Sequence, residues 1–142
     1  MRHDLILRVV AKLLIPFILL FALYVQFHGD FGPGGGFQAG VILAAGVIFY
    51  GLIYGLADAR QLVPEPLVES MMAIGVLIYG GVGVAGLLLG GNYLDYFVLD
   101  PNPVHGQHRG IFWVEEGVAV TVSGVMLKIF YMFADRGRLD DE

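Results

Sequence analysis

The chain has 142 residues, 57% of them hydrophobic and only 15% charged, with a mean hydropathy of +0.74. A soluble domain carries about a quarter charged residues and near half apolar ones, so this composition excludes a water-soluble globule and describes an integral membrane protein. A net charge of −5 with no basic stripe argues against nucleic acid as a partner, and the absence of cysteine removes disulfides, thiolate metal sites and a cysteine nucleophile.

The first apolar run covers residues 5–27, "LILRVVAKLLIPFILLFALYVQF". Its basic flank resembles that of a signal peptide, but the run is too long and no small-residue cleavage site follows, so a retained spanning helix is expected. Lys12 lies about a third of the way along it. The alternatives for Lys12 are an ion-path role and simple snorkelling toward the surface, with Arg8 one turn nearer the interface. Pro16 is a candidate kink.

The turn "HGDFGPGGGFQAG" follows, residues 28–40. A phosphate-binding loop needs a lysine and a hydroxyl directly after its glycines, whereas here Phe37, Gln38 and Ala39 follow. Three readings stay open. The segment Gly32, Pro33, Gly34, Gly35, Gly36 and Phe37 is a tight reversal, a contact with another subunit, or an unwound stretch coordinating a cation. Asp30 and His28 could draw cations to this mouth, although solvated loop groups are the commoner case.

A second span is expected over residues 37–56 and a third over 67–91, joined by "ADARQLVPEP". Glu65 and Glu69 flank the start of the third, where capping and the helix dipole account for them. Glycine pairs four apart, Gly51 with Gly55 and Gly86 with Gly90, suit close approach of helices in lipid. In the next loop Tyr93, Tyr96 and Phe97 suit an interfacial belt, and "DPNP" breaks any helix. The last span is expected over residues 111–133.

That span carries Glu115 and Glu116, the leading ion-path candidates because ionisable groups within a membrane are costly. Neighbours on a helix stand about 100° apart, so the two carboxylates cannot share a face. The bland alternative places both near the outer interface, favoured there by the helix dipole. Glu116, Ala119 and Ser123 form a mildly polar stripe; Gly117, Thr121, Gly124 and Lys128 form a second stripe of small residues suited to helix packing.

The expected architecture is all-α: one membrane domain, residues 1–142, of four transmembrane helices. Arg2, Arg8, Lys12, Arg60, Lys128, Arg136 and Arg138 fall on the side of the termini and only Arg109 on the other, which predicts cytoplasmic N and C termini. No nucleophile with a base, no cofactor motif and no histidine pair at the H-x3–5-H ligand spacing is present, so neither an enzyme nor a metal site is expected. The chain also lacks the repeated halves of a complete secondary transporter.

The glycine turn, Gly29 then Pro33 to Phe37 and Gly40, set between two spanning helices, resembles that of the MnhB family, one of the small subunits of the Mrp-type sodium/proton antiporters. "VEEGV" resembles that family's acid before Gly-Val early in the last helix, matching at Glu115, with Glu116 an additional acid where the family usually has an apolar residue. The resemblance covers nearly the whole chain. It implies an accessory multi-pass subunit in a bacterial or archaeal cell membrane, partnered by large subunits that look like those of respiratory complex I, with no cofactor of its own. A homologous subunit of a hydrogenase-type complex and a self-assembling small channel are the alternatives.

Overall fold

The computed structural model describes residues 2–29 and 35–139, with side chains from 5 to 29 and from 35 to 136. Among the described residues there are five α-helices and one 3-10 turn: α1 (Arg2–His28), α2 (Gly36–Tyr54), α3 (Leu56–Leu62), α4 (Glu65–Leu88), the turn Tyr96–Leu99, and α5 (Pro103–Leu139). No strand occurs among the described residues. Among the described residues, four segments are long and apolar enough to cross a membrane: Leu5–His28, Gly36–Tyr54, Glu65–Leu88 and Pro103–Arg136. Lipid offers backbone groups no partner, so a helix, which bonds them internally, is the form such runs take.

The helices pack in the order α1, α2, α5, α4. α1 and α2 are antiparallel: the Tyr54 hydroxyl donates to the Arg8 carbonyl at 2.8 Å, and Gly46 abuts Ile18 and Leu19. α2 and α5 run parallel, with Gly36 against Glu115, Gly40 against Ala119, and Gly51 against Phe130. α4 is antiparallel to α5: Gly75 meets Gly117 and Thr121, and Gly124 meets Val68 and Met72. Both inner seams thus rest on residues without a Cβ, which lets backbones approach in the absence of a hydrophobic drive between helices.

At the α3 end the seams close over an apolar core of Ala44, Val47, Ala59, Val68, Leu127 and Tyr131. The Tyr131 hydroxyl reaches the carbonyls of Val63 at 2.9 Å and Ala59 at 3.2 Å, fastening α3 to α5. Gly55, at φ +112°, holds the left-handed backbone that separates α2 from α3. Outside these contacts the spans present apolar side chains outward, including Phe17 and Leu20 of α1 and Leu77 of α4.

Several boundaries differ from those read off the sequence. α5 starts at Pro103, not near residue 111. "DPNP" does break the chain, but it also starts the helix: Asn102 Oδ1 accepts the Val104 N–H at 3.0 Å, and Pro103 fills a first-turn position that needs no donor. The third span stops at Leu88, before Gly90 and Gly91, and the second at Tyr54. Gly55 and Gly90 therefore lie beyond their helices, both at positive φ and with nothing within 4 Å of where a Cβ would be, so neither glycine pair forms a packing face. The loop "ADARQLVPEP" contains a helix of its own, α3. Tyr93 and Tyr96 lie against Gly83 and Gly110 respectively, folding the second loop onto α4 and α5.

Candidate functional site

The described glycines of the first turn close around a single acid. A Cβ on Gly29 would stand 2.8 Å from Glu115 Oε2, and one on Gly35 would stand 2.9 Å from Oε1. A Cβ on Gly36 would fall 2.0 Å from the Glu115 carbonyl oxygen. The end of α1, the start of α2 and the body of α5 thus meet at Glu115, and each contributes backbone with no side chain in the way. Gly35, at φ +138°, adopts a backbone that L side chains rarely take. Phe37 points outward, 59% exposed. Gly32, Pro33 and Gly34 of the predicted contact turn, together with Asp30, lie outside the described residues.

Glu115 stands twelve residues into α5, about 18 Å from its first residue at 1.5 Å per residue. The helix dipole acts over only the first turn, so placing the acidic pair near a helix N-terminus is corrected by the earlier start of α5. Glu116, one residue on, faces a different way. It lines a cavity of about 100 Å³ whose walls include Ala22, Gln26, Gly40, Met71 and Ser123, drawn from all four spanning helices. The predicted stripe of Glu116, Ala119 and Ser123 all borders this cavity. Ser123 is buried, its hydroxyl 2.7 Å from the Ala119 carbonyl and 3.1 Å from that of Gly40.

Lys12 does not join these groups. It is exposed on α1, fourteen residues before Gln26 and so about 21 Å away along the helix. His28, at the glycine end, stacks on Tyr24 with ring centroids 5.2 Å apart.

The opposite end of the protein carries an ion-pair network. Lys128 Nζ donates to Glu69 Oε1 at 2.7 Å and Glu65 Oε2 at 3.2 Å. Arg60 bonds Asp135 and pairs with Glu65 at 3.1 Å. The hydrogen bond from Arg60 to Asp135 holds the guanidinium above its ordinary pKa, so it stays charged. Glu65 and Glu69, expected to serve the helix start alone, are tied across to α5. Arg60, Tyr131 and Gln26 carry no sequence signal for these positions, since nothing periodic links α3 or α1 to α5. No cluster of His, Cys, Asp and Glu able to hold a metal exists among the described residues.

Spanning helices packed side by side, with the described glycines of the first turn closed around Glu115, define a multi-pass membrane protein. Residues 6–128 match a family described as a domain related to the MnhB subunit of Na+/H+ antiporter. The chain belongs to that family. It is 30% identical to the B subunit of the Na(+)/H(+) antiporter of Alkalihalophilus pseudofirmus, with 84% of this chain and 90% of that protein covered. It is 31% identical to the protein of the same name from Bacillus subtilis, again over 84% and 90% of the two chains.

Proposed function

We propose that this chain is an accessory membrane subunit of a multi-subunit sodium/proton antiporter, required for the complex to assemble, with both termini and α3 on the cytoplasmic face. The observation that carries the reading is the family match over residues 6–128, which takes in all of the glycine turn and both acids. The relatives are named as subunits of an antiporter rather than as enzymes or whole transporters. Partners are then other membrane subunits, among them large complex-I-like ones that carry most of the ion path. The outward apolar faces of α1 and α4 suit lipid or such neighbours, and Phe37 at the glycine turn is an exposed apolar group that would seat against one.

Charge asymmetry supports the orientation. Arg8, Lys12, Arg60, Lys128 and Arg136 stand toward the α3 end and Arg109 at the other, the bias expected for a cytoplasmic α3 end. Within the subunit Glu115 is the leading ion-path residue, Glu116 the second, and Lys12 a snorkelling anchor remote from both.

The test is deletion of the chromosomal copy followed by antiport measurement in everted vesicles, with a tagged chain supplied in trans. Sodium-dependent dissipation of the pH gradient should be lost on deletion and restored by the tagged chain. Large antiporter-like subunits should co-purify with it. Undiminished antiport in the deletion strain, co-purification with soluble redox proteins, or recovery of the chain alone would each refute the reading.

A further inference from the structure

Gln26 has no part in the packing or the ion pairs described above. It sits on α1 in the apolar stretch "YVQFH" and is 6% exposed, yet both Oε1 and Nε2 are buried without a hydrogen-bond partner. An amide placed dry in an apolar setting forfeits every hydrogen bond it makes in water. Buried polar groups in native proteins are nearly always satisfied, by protein or by ordered water. Gln26 lines the same cavity of about 100 Å³ as Glu116 and Ser123. The other lining residues, among them Ala22, Gly40 and Met71, are apolar or glycine and offer no titratable group.

We infer that Gln26 anchors a cluster of water molecules in this cavity, bridging its amide to the Glu116 carboxylate and the Ser123 hydroxyl. The space of about 100 Å³ has room for water, since one molecule needs only about 10–15 Å³ of probe-sized volume. The chemistry of the amide selects water over a bare cation. A cation would satisfy Oε1 but face the N–H donors with the wrong polarity, whereas water accepts from Nε2 and donates to Oε1. Glu116 offers acceptor oxygens for the same waters, and Ser123 keeps lone pairs free once its proton is committed to the backbone. A wet approach to Glu116 as part of an ion path rests on the antiporter reading; the water site itself does not.

The experiment uses the full chain in lipid nanodiscs and hydroxyl radicals generated from water by an X-ray pulse. Met71 lines the cavity, while its neighbour Met72 packs against Gly124 in the α4–α5 seam at nearly the same depth. Both are half-buried thioethers, so intrinsic reactivity cancels. Met71 is expected to oxidise several-fold faster than Met72. Gln26→Leu, of similar size but without polar atoms, should bring Met71 down to the rate of Met72 with helix content unchanged. Equal rates for the two methionines in the wild-type chain overturn the inference, whatever the variant's fold. So does fast Met71 oxidation that survives Gln26→Leu. Neither readout requires antiport, so a wet cavity in a chain that proves not to be an antiporter subunit, or a dry one in a working antiporter, would be told apart.

Discussion

Substituting Gly36 by alanine tests the seam that holds Glu115 in place. The added Cβ would lie 2.0 Å from the Glu115 carbonyl oxygen, 2.8 Å from its carbon and 3.0 Å from its Cα. Ordinary contact begins at 3.4 Å, so the start of α2 must retreat about 1.4 Å, and both sides of the clash are backbone that no rotamer change can relieve. A gap near 1 Å already forfeits up to about half of the dispersion energy across a contact. Overpacking typically costs about 1–3 kcal/mol, and a backbone-on-backbone clash belongs at the top of that range. About 3 kcal/mol corresponds to roughly a hundredfold in the unfolding equilibrium. The assay is denaturation of the full chain by SDS in mixed micelles, followed by helix content and by the single tryptophan, Trp113 on α5. Gly81→Ala is the matched control, because nothing lies within 4 Å of its Cβ position. Alanine there should be neutral or stabilise by up to about 1 kcal/mol through helix propensity. A Gly36→Ala chain as stable as wild type, or a Gly81→Ala chain equally damaged, would refute the seam.

Three further outcomes are expected. Glu115→Gln, which keeps shape but not charge, should leave the subunit assembled with its partners while sodium-dependent antiport in everted vesicles falls; full activity would remove Glu115 from the ion path. Tyr131→Phe removes the hydroxyl that reaches Val63 and Ala59 and should cost about 1 kcal/mol in the same SDS titration. Lys128→Met should cost little stability, because its partners Glu65 and Glu69 are 40% and 58% exposed and water screens the pair. The loss should shrink in high salt, and a salt-independent loss would mean that Lys128 acts through packing.

The spanning helices are legible because a membrane imposes length and apolarity on each segment separately, and both can be counted along the chain. Boundaries are less so. Pro103 reads equally as a helix breaker or a helix start, and only the Asn102 cap decides between them. The seven residues of α3 are too few to show a period, and their fold depends on Tyr131 from a distant helix. Glu115 and Glu116 stand out as acids in an apolar run, and the small-residue stripe of Gly117, Thr121 and Gly124 does face α4. The clasp around Glu115 is not legible, since it joins residues 29, 35 and 115, which no local pattern relates. Gln26 escapes notice for the opposite reason: one polar residue near the end of a span looks like an interface residue until its burial is known.

The order of packing constrains how the subunit can be made. α5 lies between α2 and α4 but leaves the ribosome after both. Until it enters the bilayer, α1 and α2 exist as a hairpin with Gly36 and Gly40 facing lipid, and α4 has no seam to join. A nascent chain halted before Pro103 therefore leaves bare the glycine faces of α2 and α4 that α5 covers in the folded subunit. Both inner seams thus form only when α5 inserts and brings Glu115 against Gly29, Gly35 and Gly36.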